Sequence, residues 1–586
     1  MSIPSSATSG RTPRDWIIAR ADPRREALAA SARVSPLVAQ CLLSRGIAEP
    51  GEVARFLSPA FADLLPPESL PGAVDVARRL VQAIRQRRRI VIYGDYDVDG
   101  ITATTILWHT LRLAGGDVEY YVPSRIDEGY GLNREALVGL AQRGAGVVIS
   151  VDCGITAVAE AEAAAQLGLE LLITDHHQPG SRLPPAAAIA HPTALGESAN
   201  PHLCGAGVAL KVAWATAREI CGSQRVTTAW REWLVDACAF AAMGLIADVV
   251  PLLGENRILA HFGLAQLASV RNVGVQALID AAGLSSKRNV DDFDIGYKLA
   301  PRLNAIGRLG HAREAIELFT TADESRAREI ARELDRLNRE RQTVEQGILK
   351  QAEARVVEGG LHSPARRALV LAGEEWHAGV IGIVAARLVE RFCRPTVLIS
   401  LENGSGQGSA RSIPAFPLYE ALAACSSHLK SFGGHAMAAG LRVASDRVEQ
   451  FTEAFLGEAA QRLTEQDMRP KLRLDDEVEL KQVSADVVRH LQRLAPHGPG
   501  NARPRLATTP VELAEPPRCI GQSGAHLSFV VRQGETFRRA IAFGMGAQAE
   551  RLSEHRRLRV AFEPLLNVWK GRESAELSVV DWKPAE

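Results

Sequence analysis

Three aspartates at alternate positions, Asp95, Asp97 and Asp99, break the apolar run that begins at Ile90 in I-V-I-Y-G-D-Y-D-V-D-G. That run is short, β-branched and bounded by Gly94, which predicts a buried parallel strand, and Ile101 to Leu113 follows with helical spacing and Gly115 as a stop. The acids therefore fall in a strand-to-helix loop at the carboxyl edge of a sheet, where open α/β folds bind their ligands. Three carboxylates this close repel one another unless a cation neutralises them, and oxygen ligands of this kind suit Mg²⁺ or Mn²⁺. An acidic turn closed by side-chain hydrogen bonds, or a surface Ca²⁺ loop, explains the stretch equally well when it is taken alone. No Glu stands where an EF-hand would need one.

Strand patterns recur at Val118 to Val122, Gly146 to Val151 and Leu169 to Thr174, with helical stretches between most of them, so a doubly wound parallel sheet is expected. Two of these strands also end in metal-type residues, Asp152 in V-D-C-G and Asp175, His176 and His177 in T-D-H-H. A single strand ending in Asp is commonplace, but three such ends in one sheet form a constellation. A helical region from Ala206 to Val249 carries one more acid, Asp248, in apolar surroundings where a carboxylate is costly to bury unless it is paired or coordinating.

At 586 residues the chain exceeds one core, and three or four domains are expected. The 68 basic and 68 acidic residues balance, so a polyanion must be met by a local channel rather than by overall charge. Nearly all the basic residues are arginine, which with the abundance of Ala reflects base composition more than nucleic-acid binding. The cluster Arg85, Arg87, Arg88 and Arg89 reads as a solvated helix end. Eight scattered cysteines without a C-x-x-C pair argue against a zinc ribbon or a disulfide framework. The polar N-terminus and the lack of a long apolar run make the cytoplasm the default, with residues 1–15 expected to be disordered.

From Ser325 the apolar positions Ile330, Leu334, Leu337, Val344, Ile348 and Ala352 predict one long amphipathic helix. Residues 366–455 read as a second α/β unit containing two Gly-rich pieces, taken as loops, at 404–412 and 432–440. Glycines there let a polymer backbone approach closely, and Arg411, Ser412 and His435 can donate to phosphate. Beyond about Pro470 short alternating runs predict a small barrel, with an OB-fold or another small β domain both open.

G-D-Y-D-V-D-G, V-D-C-G, D-H-H and G-L-I-A-D-V-V-P-L, in that order, resemble the four motifs of the DHH phosphoesterase superfamily. P-R-L-N-A-I-G-R (301–308), W-H-A-G-V-I-G-I-V-A-A-R-L (376–388), A-R-S and F-G-G-H-A-M-A-A-G resemble those of the bacterial RecJ single-stranded-DNA exonucleases, and the likeness runs from about residue 45 to Trp582.

The resemblance implies a multidomain α/β architecture: an N-terminal segment to residue 72, a DHH parallel-sheet domain over 73–310, a long connecting helix over 311–360, a DHH-associated α/β domain over 361–460 and a C-terminal OB-fold β-barrel over 465–586. It implies that Asp97, Asp99, Asp152, His176 and Asp248 ligate two divalent ions, Mn²⁺ or Mg²⁺, with Asp152 bridging. Asp95 is either a further ligand or a supporting residue, and His177 contacts the scissile phosphate. Arg125 and Tyr130 hold the 5′ phosphate and stack the end base, and Arg411 and Ser412 complete that pocket. Arg302, Asn304, Arg308, His377, Gly433, Gly434 and His435 are implied substrate contacts. In the barrel the N-x-W-x-G motif is present (Asn567, Trp569, Gly571), whereas P-H-G-P-G-N-A departs from the family's P-F-G-x-G-N-P at His497 and Ala502.

The activity implied is two-metal hydrolysis of single-stranded DNA from the 5′ end, releasing mononucleotides in recombination and repair. The implied partners are single-stranded DNA, a single-strand-binding protein and a RecQ-type helicase, for a monomeric chain in the bacterial cytosol and nucleoid that meets no membrane. Two other functions are weighed against this: a DHH phosphodiesterase acting on very short oligonucleotides or cyclic dinucleotides, and a non-catalytic DHH scaffold. A strand-tracking barrel is superfluous for the first and five retained ligands are superfluous for the second.

Overall fold

A strand buried on both faces must lie inside a sheet covered on both sides. In the computed structural model, which describes residues 14–123, 128, 131–309 and 312–585, the run ahead of the aspartates is such a strand. The chain divides into two compact units. One comprises residues 45–339 with the short segment 492–503; the other comprises residues up to Ser44, 340–491 and 504–586. β1 (Asp15–Ile18) belongs to the latter.

The first unit is built on a five-stranded parallel sheet of β2 (Ile90–Gly94), β3 (Val118–Tyr121), β4 (Val147–Val151), β5 (Glu170–Thr174) and β6 (Ala188–Ala190), in the order β3-β2-β4-β5-β6. β6 was not anticipated, because three residues give no periodicity to read. Every residue of β2 and β4 is buried. Helices Ala73–Arg85, Val98–Leu113, Gly205–Cys221 and Thr228–Ala247 contribute to one apolar cluster, and Arg134–Gln142 and Val158–Gln166 to another. The region expected to be helical from Ala206 to Val249 is thus two helices. The arginines past residue 85 are not merely solvated: Arg88 pairs with Glu170 and Arg89 with Glu119, tying the helix end to β5 and β3.

Residues 492–503, placed with the barrel by sequence, pack in this unit. Arg257, which is 2% exposed, donates to the carbonyl oxygens of Phe56, Arg493, Leu494, Ala495 and Pro496 at 2.8–3.3 Å and lies over the Phe56 ring. Asn501 donates to the Leu494 and Pro496 carbonyls, and the Leu252 amide donates to Pro499. His497, the departure from the family motif, lies in this segment, and burial together with Arg503, Arg45 and Arg257 lowers its pKa to about 3.

The chain leaves this unit within the 35-residue helix Glu324–Glu358. The second unit holds a mixed sheet of β7 (Leu369–Gly373), β8 (Thr396–Glu402), β9 (Ser405–Arg411), β10 (Ser431–Gly434) and β11 (Ala438–Ala444), ordered β10-β11-β9-β8-β7, with only β7 and β8 parallel. The two Gly-rich pieces expected as loops are therefore largely paired strands. Two of their glycines serve packing: a Cβ at Gly406 would come 2.8 Å from Ile399, and one at Gly408 2.6 Å from Leu441.

Further along, β12 (Lys471–Leu474) pairs in parallel with β1, so Asp15, assigned to the disordered tail by composition, begins a strand. β13 (Asp476–Val478) and β14 (Leu506–Thr508) lead into β15 (Val511–Ile520), β16 (His526–Gln533), β17 (Thr536–Ala542), β18 (Arg557–Trp569) and β19 (Arg572–Pro584). The ring β18-β15-β16-β17-β19 closes through β18–β19 pairing, giving the five-stranded barrel of an OB-fold. Among the described residues no helix is long and apolar enough to cross a membrane.

Candidate metal centre

Because β2, β4 and β5 are neighbours in a parallel sheet, their carboxyl ends deliver Asp95, Asp152 and the D-H-H run to one edge. Asp97 caps the helix Val98–Leu113, accepting from the amides of Asp99 at 2.9 Å and Gly100 at 3.1 Å, which turns the loop sharply and places Asp99 in the first helical turn. Asp152 sits at φ +61°, a left-handed conformation that Asp tolerates better than most residues and that recurs at functional sites. Asp248 caps the C-terminus of the helix Thr228–Ala247, and Val249 beyond it adopts φ +61°, an outlier for a β-branched side chain.

These groups converge. His176 Nε2 lies 3.1 Å from Asp152 Oδ1, 3.6 Å from Asp248 Oδ2 and 3.7 Å from Asp99 Oδ2. Ligand atoms fall within 4.8 Å of one another in three sets: Asp95 with Asp97 and Asp152, Asp99 with His176 and Asp248, and Asp152 with His176 and His177. Asp95, whose part was undecided from sequence, thus stands in a ligand set.

Asp175 has a different part. It accepts from the amides of Ile155, His176 and His177 and from His177 Nδ1 at 2.8 Å. Burial alone would raise its pKa, but the His177 hydrogen bond and charge and these amides outweigh it, holding the carboxyl at about 2. Burial likewise opposes charge on His177, yet Asp175, with Asp248 and Asp95 behind it, brings the imidazole up to about 9.

The other acids are pushed the opposite way. Burial and the charge of Asp99 raise Asp97; burial and the charges of Asp99, Asp97, Asp95 and Asp175 raise Asp152 well above the carboxylate range; and burial with Asp99 and Asp97 brings Asp248 to about 8. Burial lowers His176, keeping it neutral as a metal ligand must be, and its buried Nε2 makes no hydrogen bond. A cluster whose carboxylates resist ionisation together, around a buried imidazole nitrogen with no hydrogen-bond partner, fits hard divalent cations.

Three glycines that sequence reasoning passed over make room for these acids. A Cβ at Gly100 would come 2.7 Å from that of Asp95, one at Gly205 2.7 Å from Asp152 Oδ1, and one at Gly244 2.3 Å from Asp99 Oδ1. The helix that starts at Gly205 also gives its first amides to Asp99, at 2.6 Å from Gly205 and 2.9 Å from Ala206. G-A-G at 205–207, and M-G-L just ahead of Asp248, were the available signals. His191 was also missed: its Nδ1 accepts from the amides of Thr193 and Ala194, so Nε2 carries the proton and donates to the His177 carbonyl at 2.8 Å, bracing the D-H-H loop.

Of the expected substrate contacts, Asn304 Oδ1 accepts from the Val98 amide, binding its helix to the acidic loop. The Arg302 guanidinium is held by Asp335 at 2.8 Å, and Arg308 is half-buried in the same helix. Arg125 and Tyr130 lie outside the described residues. In the second unit, Arg411 Nη1 donates to the Ala410 carbonyl, and Arg411 lies against the start of the helix Ile381–Phe392, where a Cβ at Gly382 would come 3.2 Å from its Nη2. Ser412 is buried and its hydroxyl donates to the Phe416 carbonyl. His377 Nδ1 accepts from the Gly379 amide, whereas Gly433, Gly434 and His435 are exposed at the end of β10.

A parallel sheet whose strand ends gather Asp and His ligands, followed by a second α/β unit, defines a phosphoesterase of the DHH class. The DHH family N-terminal domain model matches residues 89–239, the DHHA1 domain 366–461 and the RecJ OB domain 474–581. The chain belongs to the RecJ family of single-stranded-DNA-specific exonucleases. It is 36% identical to the Bacillus subtilis single-stranded-DNA-specific exonuclease RecJ over 97% of this chain and 70% of that one. The crystal structure of Thermus thermophilus RecJ in complex with Mn²⁺ superposes with a TM-score of 0.82 at 31% identity, covering 97% of this chain and 80% of that one. The Mg²⁺ complex from the same organism gives a TM-score of 0.76 at 30% identity over 97% and 78%.

Proposed function

We propose that the chain degrades single-stranded DNA from the 5′ end, releasing 5′-mononucleotides by two-metal-ion hydrolysis. The observation that carries this reading is the pair of ligand sets, Asp95–Asp97–Asp152 and Asp99–His176–Asp248, brought together by adjacent strand ends and one helix end. Each set would hold one ion, Mn²⁺ or Mg²⁺ as in the Thermus relative, with the Asp152 carboxylate shared because His176 lies 3.1 Å from it. Bound divalent ions supply Lewis-acid neutralisation at a scissile phosphate and acidify water. His177, kept protonated by Asp175, gives that phosphate a cationic hydrogen-bond donor. Asp99 is oriented by the Gly205 and Ala206 amides and Asp97 by its own helix, so these carboxylates are fixed before substrate arrives.

Arg125, Tyr130, Arg411 and Ser412 would read the terminal 5′ phosphate, with Arg302, Asn304, Arg308, His377, Gly433, Gly434 and His435 along the strand. The barrel provides the strand-binding surface typical of OB-folds. Action as a monomer in the cytosol, in recombination and repair beside a single-strand-binding protein and a RecQ-type helicase, rests on family membership alone. A time course on 5′- and 3′-labelled oligonucleotides with Mn²⁺, Mg²⁺ or EDTA tests the reading. Labelled mononucleotide should leave the 5′ label first and only with metal; early release from the 3′ label, or undiminished activity in EDTA, would overturn it.

A further inference from the structure

Phe293 and Tyr297 are 47% and 72% exposed, and their rings lie 4.6 Å apart at an interplanar angle of 23°. Between Val250 and Arg339 they are the only large hydrophobic side chains so exposed among the described residues. Two rings are too small a patch for a stable protein interface, which needs about 800 Å² from each partner, but one open ring face is what a nucleobase requires.

The pair is held in place. Phe293 lies in the short turn Asp292–Asp294 and Tyr297 in a π-helical turn, Ile295–Leu299, that runs directly into the helix Ala300–Leu309. Asp291 and Asp294 close a reciprocal cap, Lys298 pairs with Asp294 at 2.9 Å, and Ile295 and Leu299 are buried beneath. π-helical turns inside helices concentrate at functional sites.

The same helix is bound to the acidic loop. Asn304 Oδ1 accepts from the Val98 amide at 3.2 Å, and a Cβ at Gly307 would come 2.8 Å from the Tyr96 carbonyl oxygen. Tyr297 precedes Asn304 by two helical turns, and at a rise of about 1.5 Å per residue it stands about 10 Å up the axis from that contact. At about 3.4 Å per stacked base this is the reach of roughly three nucleotides. The local cations do not favour a phosphate contact, since Lys287 and Lys298 are taken by Asp294, Arg302 by Asp335 and Arg503 by Asp292.

We propose that the Phe293–Tyr297 pair is a stacking platform for a base of the single strand, about three nucleotides from the bond being cut. The inference rests on the nuclease reading above and adds a residue pair that positions the strand by its base faces, without sequence preference.

The test compares the full chain with its Tyr297→Ala, Phe293→Ala and Tyr297→Phe variants on a dodecanucleotide and on a dinucleotide. The dinucleotide is too short to reach the platform. For Tyr297→Ala the ratio of kcat/KM on the long substrate to that on the short one should fall about ten-fold, the change lying in KM, and Tyr297→Phe should restore it. A fluorescent base analogue moved along the strand should be quenched most near the third position by the wild-type chain and lose that quenching in Tyr297→Ala. An unchanged ratio, or an equal loss on both substrates, would overturn the platform while leaving the nuclease reading intact. Failure of the wild-type chain to cut either substrate would instead overturn the nuclease reading.

Discussion

Asp152 concentrates the chemistry of the site in one side chain. It is buried, sits in a left-handed conformation, and belongs to two ligand sets, one with Asp95 and Asp97 and one with His176 and His177. Asp152→Asn preserves shape while removing a charge from a cluster of like charges. Hydrolysis should therefore fall by at least about a thousand-fold, the metal-free melting temperature should hold or rise, and the increase in that temperature on adding Mn²⁺ should vanish. Near-wild-type turnover at saturating Mn²⁺ would refute the shared-ligand assignment. The pKa directions make a second prediction. Asp248 titrates at about 8 without metal and Asp97 and Asp152 are raised as well, so below pH 8 binding a cation must expel protons. Affinity for Mn²⁺, measured calorimetrically, should climb from pH 6 to pH 8 by about ten-fold per unit for each proton released, then flatten. Asp175, at about 2, stays ionised throughout that window and contributes nothing to the slope.

Helices position the carboxylates through closeness as much as through their own ligands. The helix Thr228–Ala247 approaches Asp99 so nearly that only hydrogen fits at position 244. Gly244→Ala gains helix propensity of up to about 1 kcal/mol, and it would place a methyl 2.3 Å from Asp99 Oδ1 and 2.6 Å from the Ala206 Cβ. The expected outcome is a net loss of stability of about 1–3 kcal/mol on chemical denaturation, together with at least ten-fold weaker Mn²⁺ binding as Asp99 is displaced. Retention of wild-type metal affinity would mean that Asp99 moves freely and is not set by this packing. Likewise, the helix Gly254–Leu267 holds the segment 492–503 through the guanidinium of Arg257.

The division of the chain does not follow the order of its residues. The segment 492–503 lies among barrel-unit residues in sequence yet closes over Arg257 in the catalytic unit, while β1 crosses from the N-terminus to pair with β12. Removal of residues 470–586 should thus do more than take away a strand-binding surface. It strips four of the five carbonyl partners from a buried cation and leaves Arg257 with the Phe56 carbonyl, at a cost on the order of 3 kcal/mol. Four of those carbonyls belong to residues 493–496, so Arg257→Met in the full chain should reproduce much of that destabilisation in a urea titration. If the truncated chain melted like the intact one, the segment would be an appendage rather than part of the catalytic unit.

Local chemistry made much of this legible in advance. A β-branched run breaking into alternating acids predicted a buried strand opening at a sheet edge, and although an acidic turn or Ca²⁺ loop suited that stretch alone equally well, the V-D-C-G and T-D-H-H strand ends repeated the device, so the parallel sheet and its crowded mouth were legible from periodicity and charge repulsion. The sustained 3.6-residue spacing likewise foretold the 35-residue helix. Closeness between distant segments leaves no periodic trace, and only the tertiary structure decided it. Asp175 and Asp152 look alike in sequence, but folding turns the first toward His177 and backbone amides and the second into the ligand sets. Gly-rich stretches that read as loops are paired strands, and the glycines at 406 and 408 stand there because Ile399 and Leu441 occupy the space a side chain would need. The glycines beside the acids, the clamp at Arg257 and the stacked pair at Phe293 and Tyr297 arise in the same way, since pattern reports which face a residue turns inward but not what it meets there.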